Sequence, residues 1–214
     1  MKEWIIGRNP VYEALRSRRR DVFRLWVAAG AEEKGRLAEI LQMAEQRKLK
    51  VERVPRQKID PLGENPQGVA LEASGYSYSG LADILELAQA RGEALFVLVL
   101  DALQDPQNLG TLLRTAEAVG VHGVILPLAR TALVTPAVAH ASAGACEHLL
   151  VAQANLAQAI TALKEAGAWV IGLDGGPGSQ PVERVRLDGP LALVVGNEGA
   201  GMRDLVRKSC DVLL

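Results

Sequence analysis

Three short stretches of this chain hold side chains whose types and spacing suit chemistry. The first, D-A-L-Q-D-P-Q-N-L-G-T-L-L-R-T-A over residues 101–116, is a tight polar loop that runs into a helix near Asn108. On that helix Leu109, Leu112, Leu113, Ala116 and Val119 share one face, which leaves Arg114 on the other side, one turn beyond Gly110. Helical side chains lean toward the N-terminus, so Arg114 reaches over a residue without a Cβ toward the loop and the exposed amides of the first turn. A cation there opposes the helix dipole. That placement points to an anionic partner such as an RNA phosphate, which a guanidinium fork fits. The alternative is a surface arginine paired with Glu117 or Asp105.

The second stretch is V-V-G-N-E-G-A-G-M, residues 194–202, where glycines let a ligand approach the backbone and Glu198 stands among them. It is not a dinucleotide fingerprint, because it follows a late strand and no acidic residue stands about 20 positions further on. The third, G-L-D-G-G-P-G at residues 172–178, either binds a ribose through Asp174 or turns the chain. His140, Cys146 and His148 match no common zinc spacing, so no metal site is expected.

These stretches need a scaffold, and the apolar pattern supplies one. Residues 95–100, 124–126, 169–173 and 191–195 read as strands, and residues 81–91, 109–119 and 155–166 as helices. Strands that are apolar throughout are covered on both faces, so this part is expected to be a mostly parallel sheet between helix layers. Ligands gather at the carboxyl ends of such strands, which singles out the loops after Leu100, Leu173 and Val195. Ahead of it lies a small α/β module. Asn9 and Pro10 open a helix, residues 25–29 form a strand, and Leu37, Ile40, Leu41 and Ala44 repeat at helical spacing. S-G-Y-S-Y-S-G, residues 74–80, reads as a linker. The expected organisation is therefore a module over residues 1–75, a linker and helix over 76–93, and a larger domain over 94–214.

A chain of 214 residues that is 49% hydrophobic can bury one ordinary core and a second, smaller one. Its longest apolar run, residues 94–100, is far shorter than the roughly 20 residues a membrane helix needs. The start lacks the layout of a secretory signal, and only Cys146 and Cys210 are present, so a cytoplasmic protein with packing cysteines is expected. Residues 1–60 hold 15 Lys and Arg against 9 Asp and Glu, whereas residues 61–214 hold 9 against 16. The basic surplus lies at the front, where Arg16, Arg18, Arg19 and Arg20 form either a phosphate-contacting patch or a solvated helix end.

Taken together, D-x-x-x-D-P-x-N-x-G-x-x-x-R-T-A, H-A-S-A-G-A-C-E-H at residues 140–148 and G-N-E-G-x-G-M at residues 196–202 resemble the SpoU (TrmH-type) RNA ribose methyltransferases in order and spacing, with the RlmB-type enzymes of large-subunit rRNA most similar. The opening I-I-G-R-N-P-V-Y-E-A-L looks like that family's ribosomal-protein-like substrate-binding domain. The resemblance implies a trefoil-knot (SPOUT) fold, which is an exception to the rule against threading. It further implies a homodimer with the active site at its interface, and S-adenosylmethionine as donor to a ribose 2'-hydroxyl, most similar to guanosine methylation in 23S rRNA. Carried over, Arg114 assists loss of the hydroxyl proton, Asn108 positions the site and Glu198 supports it, while Leu173, Gly196, Asn197 and Gly201 line the cofactor. A guanidinium is too basic to act as a literal base, so phosphate anchoring and stabilisation of the forming alkoxide suit Arg114 better.

In the family a further segment, I-P-M-x-G-x-x-x-S-L-N-V, supplies a catalytic Ser and Asn, and this sequence stops at D-V-L-L, residues 211–214. The expectation is a C-terminally truncated member with an incomplete knot. Two rivals remain. A non-catalytic RNA-binding protein or inactive fragment would explain the missing segment but has no use for Arg114 at a ligand edge. A nucleotide-dependent oxidoreductase would need a glycine fingerprint where D-A-L-Q-D-P-Q-N stands.

Overall fold

The computed structural model describes residues 2–176 and 178–214. Pro177, inside the third stretch, therefore lies outside the described residues. The front of the chain forms β1 (Lys2–Ile6), α1 (Arg8–Ser17), β2 (Val22–Ala28), α2 (Arg36–Gln46), β3 (Lys50–Val54), α3 (Arg56–Ile59) and β4 (Val69–Ser74). Next come α4 (Leu81–Arg91), β5 (Phe96–Leu100), α5 (Pro106–Ala118), β6 (Gly123–Pro127), α6 (Pro136–Ala141), β7 (Leu150–Ala154) and α7 (Leu156–Glu165). The remainder is β8 (Trp169–Leu173), β9 (Leu191–Val195), α8 (Asp204–Ser209) and β10 (Val212–Leu213). Contacts divide the chain into two units, one of residues 1–77, 106–114 and 133–148, the other of residues 78–105, 115–132 and 149–214.

In the first unit four strands pair in the order β1-β4-β2-β3, with β4 antiparallel to both neighbours and β2 parallel to β3. Alternation along β2 sends Leu25 and Val27 into a core with Val11, Leu15, Leu37 and Ile40 of α1 and α2. Trp26 and Ala28 face the other way, onto Val54 and Ile59. Pro10 lies in the first turn of α1, where its missing N–H costs nothing.

Two further features tie the segment 133–148 to this unit. A Cβ on Gly110 of α5 would stand 2.4 Å from the Cβ of Ala141 and 2.9 Å from the backbone N of Ser142, so the helix and this segment meet backbone to backbone. Glycine is needed at residue 110 for packing, not to clear a path for Arg114. The second feature is electrostatic. Arg20, 3% exposed, pairs at 2.7 Å with Glu147, which is fully buried, and also with Glu3, and donates to the carbonyl of Ser74 at 3.0 Å. Burial pulls against the guanidinium charge, but these two carboxylates outweigh it and raise the Arg20 pKa.

The second unit is a six-stranded sheet, β10-β8-β9-β5-β6-β7, parallel throughout. Val97, Val99, Ile125, Val170, Ala192 and Val194 pack with Ile84, Ile160, Leu163 and Val206 from α4, α7 and α8. The intervening Leu98, Leu100, Val124, Leu126 and Ile171 are buried as well, so the strands are covered on both faces, as their unbroken apolar runs require. Asn155 caps α7 by accepting from the backbone N of Gln158 at 3.3 Å. The segment read as a linker is tethered at its end: Ser79 donates its backbone N–H to the carbonyl of Val151 at 2.9 Å. Val119 does not share the buried face of α5; it lies past the end of the helix and is 57% exposed.

Two stability predictions follow from this packing. Gly110→Ala should lower stability by about 1–3 kcal/mol through overpacking, against the ~1 kcal/mol that alanine gains over glycine in a helix, read as a lower urea midpoint. Arg20→Ala should cost ~3–5 kcal/mol because it strands Glu147 in the interior, whereas Arg16→Ala should stay within ~0.5 kcal/mol; equal effects of the two substitutions would contradict the buried pair.

Candidate functional site

The strand order of the parallel sheet locates its ligand edge. After β5 the chain moves outward through β6 and β7, whereas after β9, the neighbour of β5, it moves the opposite way to β10 beyond β8. Adjacent strands whose connections diverge leave a crevice at their carboxyl ends. The loops flanking that crevice are residues 101–104 and 196–203, two of the three loops that the sequence singled out.

A buried carboxylate joins them. Asp101, with no exposed surface, donates its backbone N–H to Val195 at 2.7 Å. Its side chain accepts from the backbone N of Arg203 at 2.8 Å, from Arg203 Nε at 2.8 Å and from Nη2 at 2.6 Å. A desolvated carboxylate is tolerable only with such a set of donors. Asn197 closes the same loop from within. Its Oδ1 accepts from the backbone N of Gly199 and Ala200 at 3.0 and 3.1 Å, its Nδ2 donates to the carbonyl of Ala102 at 3.1 Å, and its backbone pairs in both directions with Gly201. Gly196 has no space for a Cβ, which would lie 2.3 Å from the carbonyl carbon of Gly201. Ala102 takes the left-handed conformation, φ 62°, that presents its carbonyl to Asn197. The result is an open cleft of about 450 Å³ lined by Ala102, Gln104, Asn197, Ala200, Met202 and Arg203.

Within this unit the sequence-derived site residues have distinct settings. Gly196, Asn197 and Gly201 build the loop, with the Asn197 amide engaged by the loop itself, and Glu198 is exposed at its tip. Leu173, 43% exposed, ends β8. Asp174, whose role the sequence left undecided, is held by Arg207, which keeps its carboxyl below the usual range, and accepts from the backbone N of Gly176 at 3.2 Å. The Gly176 contact is that of a local turn, whereas Arg207 lies 33 residues further on. A second opening of about 440 Å³ lies at the carboxyl ends of β6 and β7, among Leu128, Arg130, Asn155, Arg203 and Leu205. The sequence reading passed over it because β7 was not recognised; Asn155, a helix cap directly after an apolar stretch, was the available signal.

Asn108 and Arg114 belong to the first unit, both exposed on α5. The helix begins at Pro106, so Asn108 sits inside the first turn. No carboxylate pairs with Arg114 among the described residues, which leaves its guanidinium available to an external anion. His140 and His148 contact, respectively, the carbonyl of Ile6 at 3.5 Å and the Glu13 carboxylate at 2.7 Å. The Cys146 thiol, buried and beside Glu147, is pushed up to about 12 and is correspondingly inert.

The four front arginines do not form one surface patch. Arg16 is exposed and pairs with Glu13 at 3.4 Å, and Arg18 is exposed at the end of α1. Arg19 lies on the Tyr76 ring, 5.4 Å from its centroid, and donates to the Ser77 carbonyl at 3.4 Å. Arg20 is not an RNA contact: its charge is enclosed with Glu147 and Glu3. A different cationic surface appears instead. Trp4 and Trp26 stack with centroids 4.1 Å apart, Arg24 lies over both at 5.3 and 5.2 Å, and Lys2 lies 4.1 Å over Phe23, which is 39% exposed. The alternation of Lys2 with Trp4 and of Arg24 with Trp26 on two strands was the signal for it.

Comparison with known proteins places this geometry in a family. The profile described as the SpoU rRNA methylase family matches residues 95–214, and that of RNA 2'-O ribose methyltransferase substrate binding matches residues 4–79. A Bacillus subtilis relative, YacO, named for the TrmH family of tRNA/rRNA methyltransferases, is 41% identical over 99% of this chain and 85% of its own length. Among solved structures, an AdoMet-bound rRNA methyltransferase from Sinorhizobium meliloti is 25% identical, covers 99% of this chain and 77% of that one, and superposes with a TM-score of 0.78. The SpoU methyltransferase AviRb from Streptomyces viridochromogenes, 22% identical over 99% of this chain and 79% of its own, shares the fold with a TM-score of 0.79. With both of its parts matched and nearly all of its own length aligned to the relative, this chain belongs to the SpoU family of RNA methyltransferases.

Proposed function

We propose that the protein transfers a methyl group from S-adenosylmethionine to a ribose 2'-hydroxyl of RNA, with guanosine in large-subunit rRNA as the target, and that it works as a homodimer. The observation that carries this reading is the crevice at the divergence of β5 and β9, closed by Asp101, Arg203 and Asn197, in a chain of this family. Its 450 Å³ lies within the ~300–1,000 Å³ typical of small-molecule sites. Gly196, where a Cβ would meet the backbone of Gly201 and Met202, keeps the loop folded tightly on itself beside the cleft, and the cleft's size and its exposed loop amides suit a nucleoside cofactor. When bound, that cofactor supplies an electrophilic methyl group. The hydroxyl must lose its proton, to solvent water, as it is methylated, and the unpaired Arg114 is the group assigned to anchor the adjoining phosphate and to stabilise the forming alkoxide. Asn108 and Glu198 are assigned supporting roles. Residues 1–75 are assigned to RNA recognition and residues 94–214 to methyl transfer, a division that the family segments at residues 4–79 and 95–214 support. Phe23, 39% exposed with Lys2 over its ring, supports a stacking surface for the RNA on this side of the first unit.

Incubation with tritiated S-adenosylmethionine and ribosomal RNA, followed by alkaline hydrolysis, tests the reading, because a 2'-O-methyl group protects the adjacent phosphodiester. In a chain extended through the family's C-terminal segment, label in alkali-resistant dinucleotides is expected; label on bases, or none, would refute the reading. Arg114→Ala should reduce transfer by about 100-fold or more while leaving the fold intact, and Arg114→Lys should recover little, since a point charge does not reproduce the fork. Asn197→Ala removes three hydrogen bonds that shape the loop, two of them from exposed amides that water can reach, and should weaken cofactor binding in calorimetry and lower stability by ~0.5–1.5 kcal/mol; unchanged affinity would remove the loop from the cofactor site.

A further inference from the structure

We infer that a cavity in the first unit binds one unstacked guanine base of the RNA, a reading that rests on RNA being the substrate. The cavity measures about 280 Å³, close to the lower end of the ~300–1,000 Å³ range of small-molecule pockets, which suits a single base and excludes a duplex. Ile6, Leu62, Pro136 and Ala137 give it apolar walls, as a base face requires, and its polar groups are Glu64, Gln107 and His140. Gln107 directly precedes Asn108, so the cavity adjoins the segment assigned to the reaction.

Glu64 carries the choice of base. It is exposed and pairs with no cation among the described residues. A bare carboxylate is unfavourable beside RNA phosphates, and an ionised one only accepts hydrogen bonds. Such a group belongs where the RNA presents donors. Single-stranded bases are read on their Watson–Crick edges, and of the four only guanine offers two adjacent N–H donors, N1–H and the 2-amino group, to match the two oxygens of a carboxylate. Adenine and cytosine present one donor group beside an acceptor that the carboxylate repels.

Fluorescence anisotropy with seven-nucleotide oligouridylates carrying a central guanosine, adenosine or inosine tests this on the intact protein. The guanosine oligomer should bind about tenfold or more tightly than the adenosine one, and inosine, which lacks the 2-amino group, should fall between them. Glu64→Ala should bring guanosine down to the adenosine level. By charge alone that substitution would strengthen binding of every oligomer, so a uniform gain across the three overturns the inference, as does equal affinity of the unaltered protein for guanosine and adenosine or no binding to any of them. Glu64→Gln, of equal size, should lose most of the preference too, which separates carboxylate recognition from a steric effect. Labelled methyl transfer to rRNA is measured alongside. Transfer without base preference sinks this inference alone, and base preference without transfer sinks the methyltransferase reading alone.

Discussion

Asp101 has no contact with water, and a carboxylate in that position persists only while Arg203 surrounds it. This single pair spans two loops 102 residues apart in sequence and so fixes the crevice at which the parallel strands present their ends. Everything assigned to the ligand edge inherits its geometry from there. Met202 is drawn into the core beside Val206, Asn197 reaches Ala102, and the glycine loop closes on itself instead of spreading into solvent. Arg203 keeps half of its side chain exposed, so the same residue that neutralises the interior charge also faces both openings of the edge.

In the first unit Arg20 and Glu147 play the equivalent part with the signs exchanged. Here a cation is enclosed, and two carboxylates from different parts of the chain compensate it. Because Glu147 lies a few residues from Ser142 and Gly144, this interior charge pair orients the segment that follows α6. Close packing at Gly110 reinforces the arrangement by excluding any side chain between α5 and that segment. Apolar burial supplies most of the stability in both units, but it does not specify which loop meets which. The charge pairs do.

What was legible in the sequence followed from local pattern. The strands at residues 169–173 and 191–195 and the helix at residues 81–91 appear with those bounds, since unbroken apolar runs and a C-terminal Gly92 leave few alternatives. The strand β7 escaped notice because L-V-A-Q-A has too few large apolar residues to stand out, and α6 because six residues are too short to show a helical period. Two-residue β10 is a strand only through its pairing with β8. In the candidate site, the loops were found from their glycines, but the partners inside them were not: nothing local says that Asp101 seeks Arg203, or that Arg20, one of four neighbouring arginines, is claimed by a residue 127 positions away. The resemblance identified the family where periodicity alone reached only a parallel sheet with an unusual edge.

The enclosure of Arg20 alters how the front of the chain meets a polyelectrolyte. A net surplus counted from composition treats every cation as able to displace a counterion from RNA, yet Arg20 cannot reach a phosphate, and Arg24, Arg36 and Arg53 are already engaged by Glu72, Glu39 and Glu33. Since the salt dependence of binding reports displaced ions and not formal charge, association of this module with RNA should depend less on ionic strength than its 15 basic residues imply. Much of its selectivity then falls to groups that salt does not screen, the stacked rings and the edges of the bases.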